Sequence, residues 1–253
     1  MLDLLSIGAI KLDTFIVLPD ASVMCERKSV DCKLCIDYGK KIPVEAFVTQ
    51  IAGSAPNIAV GLAKMGLKTG VVSYMGDDPV YHQAIAFLKQ HKVASPLVKK
   101  QKGFHSSAAV VLNYKGESTQ LVDHVPHEYH FPASTPAPKF LHISELGGKY
   151  EHLYEDVIAR VKNKGIRLSF NPGSIQIKEQ KKAFLDLLSV TEVLFLNMTE
   201  AHKVARTENG EEIRSIMLKL KALGPHYVVV TDGQNGAFAF DGQQLDHVPM
   251  FPG

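Results

Sequence analysis

Short apolar runs alternate with amphipathic repeats along most of this chain. The first run, Leu4-Leu5-Ser6-Ile7-Gly8-Ala9-Ile10, is of the continuous kind found in strands buried on both faces. Ala55, Ile58, Ala59, Leu62 and Ala63 then recur at helical spacing and Gly66 follows them, which predicts a helix over 55–65. A strand is expected at 71–75 and a second amphipathic helix over 79–91, opening on Pro79. From residue 140 the rhythm is regular. Strands are expected at 140–144, 167–171, 193–197, 227–231 and 237–240, and helices at 150–163, 178–188, 199–205 and 211–223. Strands that alternate with helices imply a parallel sheet with right-handed crossovers and helices on its faces.

Two stretches depart from that rhythm. Residues 14–50 show no helical pattern, only mixed runs near 31–37 and 44–51 split by a turn region containing Gly39 and Pro43. Residues 106–112 and 117–122 read as a hairpin around Tyr114-Lys115-Gly116, and the Pro-rich stretch 126–138 reads as a connection. The expected architecture is α/β, a doubly wound, mostly parallel sheet formed by 1–13, 51–103 and 126–253. A small β lid is added by two insertions, 14–50 and 104–125. In such sheets ligands bind beyond the carboxyl ends of the strands, which directs attention to Asp13, Asn171, Asn197, Thr231 and Asp232.

Composition narrows the function classes. The length of 253 residues suits one large domain with a small appendage. With 28 Lys+Arg against 26 Asp+Glu, the chain has no charge excess to draw in nucleic acid or an anionic membrane, so neither partner is expected. No apolar run reaches the ~18 residues of a membrane span, and the start of the chain lacks a signal-peptide pattern; a cytoplasmic location is the expectation. Three cysteines, an odd number, argue against a disulfide framework and for a reducing compartment. Cys32 and Cys35 form a C-x-x-C, but zinc needs further ligands that are not nearby. A redox motif would open a helix, whereas Val30 to Gly39 looks like a strand running into a turn. Ordinary thiols on a strand are the expectation.

Three local patterns can carry chemistry. Gln50-Ile51-Ala52-Gly53-Ser54-Ala55-Pro56-Asn57 precedes a helix. Its small residues allow close approach to free backbone N–H groups, and Asn57 can both donate and accept toward a polyol hydroxyl; an ordinary capped helix start explains the same residues. Asn197 and Glu200, at i and i+3 where a strand becomes a helix, can orient magnesium-bound water and phosphate oxygens, or simply cap the helix. Val228 to Gly236 ends a strand in Thr231-Asp232-Gly233, suited to passing close to a nucleotide or to a plain turn. The chain lacks both G-x-G-x-x-G after its first strand and G-x-x-x-x-G-K-[ST], which disfavours a nicotinamide-dependent oxidoreductase and a Walker-type phosphate loop.

The order of these patterns resembles the ribokinase-like PfkB kinase family from Leu4 to about Phe240. The resemblance rests on Ile7-Gly8 with Asp13, on Ala52 to Ala59, on Val72 to Asp78, on Asn197 to Glu200 and on Val230 to Ala237. It implies a kinase that moves the γ-phosphoryl group of ATP to a hydroxyl of a sugar or nucleoside, with Mg2+. Asp13, Gly53, Asn57 and, as a weaker match, Glu145 would contact the substrate. Asn197, Glu200, Thr231 and Gly233 would serve the nucleotide, Glu200 reaching the metal through water. The insertions would form the lid that covers the substrate and often builds a homodimer interface.

Two departures stand out. Tyr81 stands near a position where the family usually has glycine. The family's G-A-G-D segment, source of an anion hole and of the aspartate base, is expected only beyond Gly253, so the chain of these residues is expected to be inactive. The alternative is a catalytically incomplete sugar- or nucleoside-binding protein of the same fold.

Overall fold

The structure, a computed structural model, describes all residues except 26–31, 124, 133, 134, 136, 209, 252 and 253. The chain opens with β1 (Leu4–Ile7), β2 (Lys11–Val17), β3 (Ser22–Cys25), β4 (Cys32–Cys35) and β5 (Ala46–Ala52). Next come α1 (Ser54–Lys64), β6 (Thr69–Gly76), α2 (Pro79–Gln90), β7 (Val98–Gln101), β8 (Ser107–Tyr114) and β9 (Glu117–Asp123). The alternating part holds β10 (Phe140–Ile143), α3 (Glu151–Lys164), β11 (Arg167–Phe170), α4 (Ser174–Glu179), α5 (Lys182–Leu188) and β12 (Val193–Asn197). It continues through α6 (Met198–Ala205), α7 (Ile213–Ala222), β13 (Tyr227–Thr231), β14 (Ala237–Phe240) and β15 (Leu245–Val248).

Nine strands make the large sheet, in the order β15-β14-β13-β12-β11-β10-β1-β6-β7. All neighbours are parallel except β13–β14 and β14–β15. β1 lies between β10 and β6, so the chain first builds to one side of it and later to the other. Such a reversal marks the carboxyl end of β1 as the place where a ligand site is expected in such sheets. Leu5, Ile7, Leu141, Ile143, Leu168, Phe170, Leu194, Leu196, Val228 and Val230 bury one face beneath α3–α7. Val71, Met75 and Val98 pack with Ala55, Ala59, Ala84 and Leu88 of α1 and α2. Burial alternates along β12 and β13, and Phe195 and Tyr227 remain 39% and 41% exposed; the face they lie on is therefore less covered at this end of the sheet.

A separate four-stranded sheet has the order β5-β2-β8-β9. β2 was not expected as a strand, because its pattern Lys11-Leu12-Asp13-Thr14 places charge at alternate positions near a chain turn. It nevertheless pairs with β5 and β8 along its whole length, and it takes Asp13 into the small sheet. The run near 44–51 becomes β5. The run near 31–37 becomes β4, which among the described residues pairs with β3 in a two-stranded sheet; residue 31 and part of the Pro-rich connection lie outside the described residues.

Two further expectations are corrected. The single helix over 178–188 is two helices, because Gln180 adopts a left-handed backbone with φ 40° and no α-helix continues through that conformation. The three cysteines are not all ordinary thiols. Cys25 and Cys32 stand opposite each other in the β3–β4 register and form a disulfide, while Cys35 is free. Spacing along the chain highlighted Cys32 and Cys35, but residues three apart on a strand point to opposite faces.

Candidate active site

A first group of residues gathers where β1 runs into β2. Gly53 precedes α1 with φ +117°, and a Cβ there would run into the carbonyl oxygen of Ala9. Only glycine tolerates both conditions, so the small residue lets the start of α1 lie against the end of β1. Ser54 opens the helix, and its hydroxyl is buried without a hydrogen-bond partner. Asn57 is exposed on the first turn, its amide bonded to the Gly53 carbonyl at 3.2 Å.

Asp13 is half-buried in β2, between Gln50 of β5 and Ala109 of β8. Its Oδ1 has no partner, although buried polar atoms are nearly always hydrogen-bonded. Burial raises its pKa, the Lys11 ammonium opposes the rise, and the charge of Glu145 adds to it. Lys11, two residues earlier on the same side of the strand, is only 6% exposed and donates to Glu145 Oε2 at 2.8 Å. Glu145 follows β10. Its own carbonyl accepts from Ala9 N at 3.1 Å, and Ser144 is tied to the Ile7 carbonyl. Gly173, before α4, leaves the space that the Glu145 side chain occupies, since a Cβ there would sit 2.7 Å from its Cγ. Tyr129 braces the same loop by accepting from Gly147 N at 3.2 Å.

A second group lies at the ends of β12 and β13. Asn197 Oδ1 accepts from Glu200 N at 2.8 Å, and Glu200 Oε2 accepts from Asn197 N at 2.9 Å. This is a reciprocal capping box, so the helix-cap reading of the pair is realised. It uses one carboxylate oxygen of Glu200 and leaves the other without a hydrogen bond among the described residues. Burial raises the Glu200 pKa, the Asn197 amide and Lys203 lower it, and Glu145 raises it again. Glu145 therefore acts electrostatically on both groups. Asn197 and Thr231 are direct neighbours in the parallel register, and Gly233 begins the short 3-10 turn Gly233–Asn235 that follows. Thr231, Gly233 and Asn197 are all exposed. Asn171, also singled out from sequence, donates to the Phe195 carbonyl at 2.9 Å and so ties β11 to β12.

The small sheet is anchored beside these groups. Asp78 caps α2 through Tyr81 N at 3.2 Å and accepts from Ser106 N and Oγ at 2.7 and 2.9 Å. Burial alone would raise the Asp78 pKa, but these bonds bring it below the usual range. Tyr81, at the position where glycine was expected, lies in the first turn of α2. Among the sequence candidates, Asp13 and Glu145 are brought together, as are Asn197, Glu200 and Thr231. Lys11 and Ser54 were missed. Recognising β2 as a strand would have exposed Lys11, since it shares a face with Asp13.

These features coincide with a known family. The family model for pfkB family carbohydrate kinases matches residues 16–253, and the chain belongs to that family. A cytidine kinase of Thermococcus kodakarensis is 25% identical over 261 residues, covering 100% of this chain and 81% of that protein. A fructokinase of Klebsiella pneumoniae is 27% identical over 224 residues, covering 82% of this chain and 72% of its own length. In fold, the chain matches the Arabidopsis thaliana ribokinase complexed with ribose and ATP with a TM-score of 0.74 at 19% identity, over 99% of this chain and 78% of that one. A Giardia lamblia ribokinase gives 0.76 at 15%, over 99% and 77%. The fold is thus ribokinase-like, with a large, mostly parallel sheet and a small separate one.

Among the described residues no cluster of His, Cys, Asp and Glu forms a direct metal cage, and no helix is long and apolar enough to cross a membrane. The second group nevertheless fits a hydrated magnesium ion. It offers a hard carboxylate with one uncommitted oxygen, beside exposed amide and hydroxyl groups at strand ends.

Proposed function

We propose that this protein is an ATP-dependent kinase scaffold whose acceptor is a hydroxyl of a sugar or nucleoside. The observation that carries the reading is Asp13 Oδ1, an ionisable oxygen buried without a partner next to Glu145 and Lys11. Leaving such an atom unpaired is costly, and an acceptor hydroxyl would repay it by donating. Gly53, Ser54 and Asn57 would complete the acceptor end. Asn197, Thr231 and Gly233 would flank the nucleotide phosphates, and Glu200 would hold Mg2+ through water. Bound there, the ion would neutralise phosphate charge. The small sheet would act as the lid, excluding water from the acceptor. Phe47 and Leu121, exposed on its two edge strands, suit a homodimer formed through it. The cytidine kinase, fructokinase and ribokinase relatives support the acceptor class.

No G-A-G-D segment occurs in the 253 residues, and no aspartate among them is assigned as the base. A general base contributes about 100- to 10,000-fold and an anion-hole donor about 100- to 1000-fold. The 253-residue chain is accordingly expected to bind acceptor and ATP with negligible turnover. Calorimetric titration together with an ATP-consumption assay over sugars and nucleosides tests this. Robust turnover would refute the missing base, binding without turnover would also accord with a binding protein of the same fold, and absence of any binding would refute the kinase reading. Sedimentation would measure the dimer separately.

A further inference from the structure

The acceptor end contains one buried cation, and its environment bears on which acceptor fits. Lys11 is 6% exposed, and its ammonium lies 2.8 Å from Glu145 Oε2. Asp13 stands two residues further along the same strand face. Glu200, on α6, feels the charge of Glu145. One buried cation, already bonded to Glu145, therefore stands beside a second carboxylate, Asp13, while the cation that acts on Glu200, Lys203, is exposed on α6. Charges in such partly buried settings interact far more strongly than in water. A phosphate brought to the acceptor end would meet this surplus, with the local ammonium already engaged. A neutral hydroxyl meets the reverse situation, an unpartnered carboxylate oxygen ready to accept from it.

We propose that Lys11 is a positioning residue which, by holding Glu145 beside Asp13, commits the acceptor end to uncharged polyols or nucleosides and turns away acceptors already carrying a phosphate. This rests on the kinase reading above. Lys11 does two things in it. It fixes the Glu145 carboxylate, which comes from a distant part of the chain, and it favours the ionised form of Asp13 that burial opposes. The groups facing Asp13 are Lys11 on its own strand, Gln50 and Ala109 on the neighbouring strands, and Glu145 from the loop after β10. Glu145 in turn bonds Lys11, and its charge acts on Tyr129 and Glu200 among its other contacts. Removing the ammonium leaves nothing among these to oppose the upward pull on Asp13.

The test is calorimetric binding to the 253-residue chain, with ribose, fructose and cytidine set against their monophosphates. The expected result is that at least one neutral compound binds about tenfold or more tightly than its monophosphate. In Lys11→Met, affinity for that compound should fall, and the variant-to-wild-type ratio should worsen as the pH is lowered and Asp13 takes up its proton. A loss equal at all pH values would mean that Lys11 is merely structural and would overturn the proposal. Monophosphates that bind as well as the neutral compounds would overturn it too, while leaving the kinase reading intact. If no compound of either kind binds, both fall together. Should Lys11→Met fail to fold, Glu145→Gln decides: it removes one carboxylate of the surplus and should narrow the discrimination against monophosphates, and unchanged discrimination would overturn the proposal.

Discussion

At the proposed acceptor end, Lys11 reaches Glu145 across 134 positions of sequence. At the proposed nucleotide end, Asn197 and Glu200 bond each other across three, and Thr231 joins them through one strand pairing. The acceptor end depends on the whole fold, since β2, the loop after β10 and the start of α1 must all arrive together. It also carries unsatisfied polar atoms, Asp13 Oδ1 and Ser54 Oγ. At the other end a capping box satisfies the backbone of the helix start and leaves a single Glu200 oxygen over. On the proposed reading, one end would hold its function in reserve at a cost in stability, and the other would combine a functional pair with a device that stabilises its helix.

The sharpest way to break the acceptor end is Gly53→Ala. The added methyl meets the Ala9 carbonyl at a backbone conformation that L-residues resist, and a loss of about 3 kcal/mol or more is expected in denaturant titration. Next in size is Asp13→Asn, which should weaken acceptor binding about 100-fold while leaving the melting temperature unchanged or slightly higher. A fall in both would mean that Asp13 serves the fold rather than a ligand.

Acid should also act on the acceptor end first. His127 and His142 are buried and burial holds each near a pKa of about 4. His127 lies in the segment leading to Tyr129, and His142 lies in β10 just ahead of Glu145. Their folded values are below the unfolded 6.5, so the unfolded chain binds protons more readily. Stability is therefore full above about pH 6.5 and is lost as pH falls toward 4, by about 2 kcal/mol per histidine at pH 5. Gln in place of either residue should flatten part of that slope in thermal melts.

The nucleotide end should respond more gently. Glu200→Gln can still close the capping box, so stability should hold while half-saturation by Mg2+ during ATP binding shifts upward about tenfold. Asn197→Ala removes the cap and should cost about 1 kcal/mol. If Glu200→Gln unfolds the protein, or leaves the Mg2+ titration unmoved, the two ends are not distinguished in the way described.

The same contrast explains what could be read from sequence. Asn197, Glu200 and Thr231 were legible because their relations are local, fixed by helix spacing and by a strand end. β1, β6 and β10 to β13 were legible because their runs are apolar and bounded by helical patterns, whereas β7, Val98-Lys99-Lys100-Gln101, carries no such run and was missed. β2 was missed too, since a strand at a small two-sided sheet mixes charge with apolar residues and yields no clean period. Lys11 went unnoticed with it, because the partner that gives it meaning lies in another part of the chain. The break at Gln180 was invisible for a related reason: a left-handed residue other than glycine leaves little mark on hydrophobic periodicity. Cys25 and Cys32 face each other only once the β3–β4 register is known.

The bond between Lys11 and Glu145 has a mechanical side as well. Lys11 belongs to the small sheet and Glu145 to a loop of the large one, and they meet a few residues from the junction at which the chain passes from one sheet to the other. A contact so near the junction would move little if the small sheet tilted, but a load at the rim of that sheet would reach the Lys11–Glu145 bond multiplied by the length of the lever arm.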